Sequence, residues 1–243
     1  MNGCNSDDAT LYQVSLLQAL ALGNYNGVVS IDELKKHGDI GLGTFDGLDG
    51  EMIMLDGIVY KAKRDGSVEI IDEGTTPFAN VVFSNDDIIK TIKAASMKLF
   101  NETMELILID NGVNSPYFIK MNATFDRVVI RSIPKQTPPY RRLADVVSTD
   151  QVIWDHEEIK GTVVGLYCPS YMGMTNNVGW HLHFISDDRR IGGHVLDLST
   201  SKAECRITKI ESVHTVIPDR TDFHSLDLSE NQKKDIEKIE GTR

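Results

Sequence analysis

The chain is poor in cysteine. Cys4, Cys168 and Cys205 are the three among 243 residues, odd in number and without CxxC spacing. That argues against a disulfide framework and leaves reduced thiols as the expectation. Long hydrophobic runs are also missing: nothing approaches the roughly 18 apolar residues that span a bilayer. Met1 to Thr10 is polar, with no basic segment leading into an apolar one, so no signal peptide is expected. Cys4 has no hydrophobic segment before it and does not read as a lipoprotein cysteine. A cytoplasmic chain with no membrane partner is expected. Positive charge is scarce, with 25 Lys and Arg against 36 Asp and Glu and a net charge of -11. Such a chain repels phosphate backbones, so nucleic acid is not an expected partner. An anionic ligand would need a locally positive site, made by a metal or an arginine. No internal repeat or low-complexity block stands out.

What is present suits one large domain or two closely packed smaller ones, and the 41% hydrophobic content can fill a core. Leu11 to Gly23 reads as either a short helix or an apolar strand. Ser30-Ile-Asp-Glu33 is a capping box, opening a helix that Gly38 stops. Met52 to Leu55, Ile58 to Lys63 and Val68 to Ile71 are short apolar runs, punctuated as hairpins by Asp56-Gly57 and Asp65-Gly66. Ser84 with Asp87 predicts a cap for a second helix reaching about Phe100, with Ile88, Ile89, Ile92, Ala95 and Leu99 at helical spacing. Tyr117 to Ile133 alternates like a strand. Pro134 to Tyr140 is linker-like, and the chain then reads as strand to about Ile217. A polar helix is expected over Ser229 to Glu240. The class predicted is α+β, with mixed and antiparallel sheets in two closely packed subdomains. These are residues 11–133 (mixed α/β) and 141–228 (mostly β), followed by the helical tail 229–243.

The informative segment is Gly179-Trp-His-Leu-His-Phe-Ile-Ser-Asp-Asp-Arg-Arg-Ile-Gly-Gly-His194. On a strand, His181 and His183 project from one face, with Leu182 and Phe184 on the other. Asp187 to Arg190 is a polar turn. If its centre lies between Asp188 and Arg189, antiparallel pairing sets His183 opposite His194, with Cβ atoms about 5 Å apart. Three imidazoles then converge as catalytic metal sites require, with coordination positions left open. A register slip of one residue would turn His194 away, leaving two histidines of a surface or packing kind. His37 sits in the last turn of a helix. His156, His214 and His224 are isolated and read as ordinary surface or hydrogen-bonded residues.

This hairpin resembles the metal-binding segment of the acetolactate decarboxylase family, and it has company. Gly41-Leu-Gly-Thr-Phe-Asp-Gly-Leu-Asp-Gly-Glu51-Met-Ile-Met-Leu-Asp-Gly57 is similar to another long signature of that family. Val129-Ile-Arg131-Ser-Ile resembles its arginine strand, and Ile236-Glu-Lys-Ile-Glu240 its acidic end. The likeness runs in order from about Leu11 to Glu240. It implies that His181, His183 and His194 ligate one metal, Zn2+ by expectation, with other divalent metals possible. It implies that Glu51 lies at or beside the metal, that Arg131 is the active-site arginine, that Thr44 lines the substrate pocket and that Glu240 reaches back into the site. Glu237 is a close competitor for that last role. Taken alone, Glu51 is a turn carboxylate, Arg131 half of a surface ion pair, Thr44 a loop hydroxyl and Glu240 part of a solvated face.

The implied reaction is decarboxylation of 2-acetolactate to (R)-acetoin and carbon dioxide, by an enzyme expected to be a homodimer. Two other classes fit parts of the sequence. A cupin-like metal-dependent oxygenase or isomerase also uses HxH on a β-scaffold, but where its pattern calls for glycine this chain has His194. A non-enzymatic module with a structural metal would normally close its site with four protein ligands.

Overall fold

A computed structural model describes residues 9–85, 88–229 and Ile236. In chain order the first half contains β1 (Thr10–Val14), α1 (Leu17–Ala21), β2 (Val29–Ser30), α2 (Ile31–Leu34), β3 (Ile40–Thr44), β4 (Glu51–Leu55), β5 (Ile58–Ala62), β6 (Val68–Ile70), β7 (Thr75–Thr76), β8 (Ala79–Val82), β9 (Ile88–Ala94) and α3 (Met97–Asn111). Then come β10 (Tyr117–Ser132), α4 (Leu143–Asp150), β11 (Val152–Cys168), β12 (Gly179–Ser186), β13 (Gly192–Lys209), β14 (Ser212–Val216) and α5 (Thr221–His224). Among the described residues no helix is long and apolar enough to cross a membrane.

Two sheets dominate, and the α+β class holds. The first has seven strands in the order β14-β1-β8-β3-β4-β5-β6, antiparallel except for the β1–β14 pair, so it is mixed. The second runs β10-β11-β12-β13-β9, and β10 also pairs with β13, so four of its strands close on themselves like a small barrel. Sheet membership crosses residue 133: β9 and β10 join the strands of the second half, and β14 returns to the first sheet beside β1.

Alternation along each strand places the layers. Leu42, Ile53 and Leu55 of the first sheet meet Phe118, Val164, Leu166 and Ile185 of the barrel in one buried cluster. Met52, Met54 and Val59 face the other way, against Ile31 and Leu34 of α2. On the far side of the barrel, Phe100, Met104 and Leu108 of α3 cover Ile119, Leu182 and Phe184. Each such side chain removed from water contributes about 1.5–3 kcal/mol. A further cluster gathers Leu17, Leu20, Phe78, Leu143 and Ile236 at one end of the interface between the layers.

Ser30 caps α2 as expected, its hydroxyl accepting from Glu33 N at 3.1 Å, though the helix ends at Leu34, before Gly38. Asp56 and Gly57, at φ 52° and 76°, make the two-residue turn between β4 and β5. Leu11 to Gly23 contains both alternatives in succession, β1 and then α1, with Ser15 at φ 59° turning the chain between them.

The helix predicted from Ser84 to Phe100 is corrected. Ile88–Ala94 is the edge strand β9, paired with β13, and the helix begins only after Ser96, whose hydroxyl accepts from Leu99 N. The isoleucine-rich run satisfies helical spacing, but its β-branched residues suit a pleated edge better. Ser84 bonds Asp39 instead of capping, and Asp87 lies outside the described residues. α4 is a second correction, since the segment after the linker reads as strand. Leu143, Val146 and Val147 form its buried stripe, helical in spacing although the valines favour strands. The expected tail helix lies outside the described residues except for Ser229 and the buried Ile236.

Candidate metal centre

The hairpin register is the one the spacing predicts: His183 pairs with His194 across β12 and β13. The chain can pack this tightly because of Gly193, where an added Cβ would lie 2.6 Å from the Arg131 carbonyl oxygen on β10. His194 is in turn the cross-strand partner of Arg131, so the histidine hairpin and the arginine strand share one edge of the barrel. The three imidazoles are buried, and one ligand atom from each lies within 4.8 Å of the others.

Three contacts define the donor set. His183 Nδ1 lies 2.7 Å from the Met52 carbonyl oxygen. A carbonyl only accepts, so Nδ1 carries the proton, and the Nε2 of the neutral ring presents a lone pair. That Nε2 is 3.2 Å from His181 Nε2 and 3.5 Å from Glu51 Oε2. Electron-rich atoms gathered this closely in a dry site call for a cation or a proton among them. Two nitrogens, each about 2.05 Å from one tetrahedral ion, stand about 3.3 Å apart, so the spacing fits a divalent metal. The protonation states fit as well. Burial, with the nearby Arg131 guanidinium, lowers the His181 pKa from 6.5 to about 3. Burial, with His181 and Arg131, holds His183 well below its ordinary value against the opposing Met52 bond. Neutral imidazoles are the ligand form.

Glu51 and Arg131 arrive from different layers. Glu51 opens β4 on the face turned toward the barrel, paired with Thr44 of β3. Gly50 before it has φ +81°, and a Cβ there would lie 2.5 Å from the Ala62 carbonyl oxygen, so the sharp entry into β4 needs glycine. Arg131 Nη1 reaches Glu51 Oε1 at 3.4 Å, and both side chains are buried. Neither is the turn or surface residue that a solitary reading suggests. Thr44 donates its hydroxyl to the Gly50 carbonyl at 2.7 Å and so braces the turn that aims Glu51.

These groups open into a small pocket. Its polar floor is Thr44, Glu51, Arg131, His181 and His194, and its apolar wall includes Leu17, Leu20, Leu48, Phe78 and Leu143. The wall was not foreseen from the sequence. Its residues come from four separate segments, and hydrophobic spacing tells which face of an element is buried but not against what. The Met52 carbonyl that orients His183 leaves no mark in the sequence at all. Glu240 and Glu237 lie outside the described residues.

The family described as alpha-acetolactate decarboxylase matches residues 11–230. The chain belongs to the alpha-acetolactate decarboxylase family. It is 41% identical over 238 residues to the alpha-acetolactate decarboxylase of Methanosarcina mazei, covering 97% of this chain and 82% of that protein. It is 38% identical to that of Lactococcus lactis subsp. lactis, covering 95% and 98%. The crystal structure of alpha-acetolactate decarboxylase from Bacillus subtilis strain 168 superposes with a TM-score of 0.90 at 33% identity, covering 96% of this chain and 99% of that one. Membership in the family takes away the footing of the cupin-like alternative.

Proposed function

We propose that this chain decarboxylates 2-acetolactate to (R)-acetoin and carbon dioxide with the help of a divalent metal, zinc in the first instance, held by His181, His183 and His194. The observation that carries the reading is the meeting of three buried imidazoles with a buried Glu51–Arg131 pair beside one pocket of a chain from this family. When bound, the metal supplies Lewis acidity to the ketone and hydroxyl oxygens of the substrate.

The chain's own residues divide the remaining work. Arg131 offers a buried guanidinium to the carboxylate of an anionic substrate, giving a chain of net charge -11 its local positive group. The bond from the carboxylate carbon to its neighbour breaks, carbon dioxide leaves, and the electron pair passes to the ketone oxygen as an enediolate. Glu51 takes up a proton from solvent and delivers it to the enediolate carbon, returning to the carboxylate, and its fixed place on one side of the pocket selects one hand of acetoin. Thr44 keeps the Gly50–Glu51 turn in place. Leu17, Leu20, Phe78 and Leu143 receive the methyl groups and exclude water from the carbanion-like carbon. Glu240 is proposed to reach the site from the tail, consistent with Ile236 lying in the apolar cluster shared by Leu17, Leu20, Leu48, Phe78 and Leu143 of the wall.

We further propose that segments 11–133 and 141–228, which exchange strands between the two sheets, work as one unit, and that the enzyme is a cytoplasmic homodimer, which light scattering and cell fractionation decide. The deciding experiment incubates purified, metal-assayed protein with racemic acetolactate, with and without a chelator, and measures acetoin by chiral chromatography. Metal-dependent formation of one enantiomer is expected. Acetoin formation at the uncatalysed rate by metal-loaded protein would refute the reading.

A further inference from the structure

A second buried polar cluster lies just outside the pocket and takes no part in the chemistry above. Gln13 of β1 and Asn80 of β8 are cross-strand neighbours and fully buried. The side-chain nitrogen of Asn176, from the segment between β11 and β12, donates to both: 3.0 Å to Gln13 Oε1 and 2.9 Å to Asn80 Oδ1. Gln13 Nε2 in turn donates to the Thr175 carbonyl at 3.0 Å and to that of Ser15 at 2.8 Å. Asn176 Oδ1 accepts from Asn177 N at 2.9 Å, and Asn177 Nδ2 donates to the Trp180 carbonyl at 3.3 Å. The backbone of the segment is pinned as well, since Thr175 N and Asn176 N both donate to the Met172 carbonyl.

The ends of this network fall at two informative places. One is the Trp180 carbonyl, the peptide that leads directly into His181. The other is the Thr175 carbonyl, which accepts from Leu17 N at 2.9 Å, so the segment also fixes the first residue of α1. Leu17 and Leu20 of that helix line the pocket. One run of amide bonds therefore links the first sheet to both the metal strand and the apolar wall. Apolar side chains would hold the layers together equally well, but their contact is non-directional, whereas directional bonds between amides fix one register.

We propose that Asn176 is a positioning residue that sets the start of β12, and with it His181, relative to α1. The proposal rests on the metal-dependent reading of the site. It is tested with Asn176→Ala, measuring zinc transfer to a chelator, KM and kcat separately, and hydrogen exchange of the Trp180–His183 amides. Leu34→Ala, in the cluster on the opposite face of the first sheet, is the control for general destabilisation. Asn176→Ala is expected to release zinc about 10–100-fold faster, the range for residues that orient metal ligands. Its KM should rise with kcat at saturation little changed, and exchange at Trp180–His183 should quicken. Leu34→Ala should lower the thermal midpoint and leave zinc release and that exchange as in the wild type.

An Asn176→Ala protein that is less stable but has wild-type zinc release, KM and exchange would overturn the proposal. Should Asn176→Ala not fold, Asn177→Ala removes only the bond onto Trp180 and carries the same expectation for zinc release and exchange. Should wild-type protein take up no zinc and form no acetoin, the functional reading falls. The exchange arm then decides the positioning role by itself.

Discussion

The two faces of the pocket are built by different means. The histidine face comes from a single hairpin, in which one register fixes His183 against His194 and strand alternation puts His181 beside them. The charged face joins Glu51 to Arg131, residues 80 positions apart on different layers, and exists only when the first sheet is seated on the barrel. Burial holds His181 and His183 of the first face toward their neutral forms, whereas the other face pairs a carboxylate with a guanidinium. Damage to the first should therefore appear as lost metal, and damage to the second as lost turnover together with lost stability.

The sharpest way to break that contrast is at a ligand. His181→Ala should lose both bound metal and acetoin formation, with activity falling to background. Metal analysis of the purified variant checks it, and a full complement of zinc would remove His181 from the ligand set.

The charged face is expected to fail differently. Arg131→Ala should retain metal but lose turnover. Taking the guanidinium from a buried pair should also destabilise the fold by about 3–5 kcal/mol, because the Glu51 carboxylate stays behind in a dry site. Glu51→Gln keeps an amide oxygen that can still accept from Arg131 but removes the counter-charge of that buried guanidinium, so it should destabilise less than Arg131→Ala while kcat falls about 10²–10⁴-fold. Denaturant unfolding and steady-state kinetics on both variants separate the two effects. Equal stability of Arg131→Ala and wild type would show that the pair is not the seat of the layer contact.

The same contrast explains what could be read from the sequence. The hairpin was legible because its geometry is local: an HxH, a polar turn and a histidine at the paired distance imply each other. Glu51, Arg131 and Thr44 were legible only as pieces of family signatures. Nothing in Gly50-Glu51 or in an alternating strand reveals that Glu51 turns inward or that Arg131 meets it. Ile88–Ala94 was misread because its isoleucines satisfy helical spacing, and the partner strand that decides the matter lies more than a hundred residues later. α4 was missed for the opposite reason, since its valines look like strand while its buried stripe is helical. The apolar wall and the Gln13–Asn80–Asn176 bonds were out of reach because each needs three or more segments in place.

Acid should act on the histidine face of the metal-free protein. His181 has a pKa of about 3 when folded against 6.5 as the ordinary value, and His183 is lowered in the same direction. Below pH 6.5 the unfolded chain therefore takes up protons that the folded site refuses, and the native state loses stability as the pH falls toward 3. Above pH 6.5 this contribution is constant. Unfolding of metal-free wild type between pH 7.5 and 4, set against His181→Gln, tests it with sample pH values spread about the ordinary histidine pKa. The substituted protein should show the shallower decline, and parallel curves would mean that other groups govern the acid limb.

The smallest effect is expected at Thr44, and it marks where the charged face ends. Its hydroxyl proton is committed to the Gly50 carbonyl, so its influence on Glu51 passes through the turn. Thr44→Val keeps the shape and removes that bond, which should cost about 0.5–1.5 kcal/mol of stability. If bracing is its whole role, kcat/KM should fall by no more than about tenfold, equivalent to about 1.4 kcal/mol. Thr44→Ser, which retains the hydroxyl, should stay near the wild type in both measurements. A fall in kcat/KM well beyond tenfold without a matching loss of stability would mean that the hydroxyl oxygen meets the substrate itself. The charged face would then extend from Arg131 through Glu51 to Thr44.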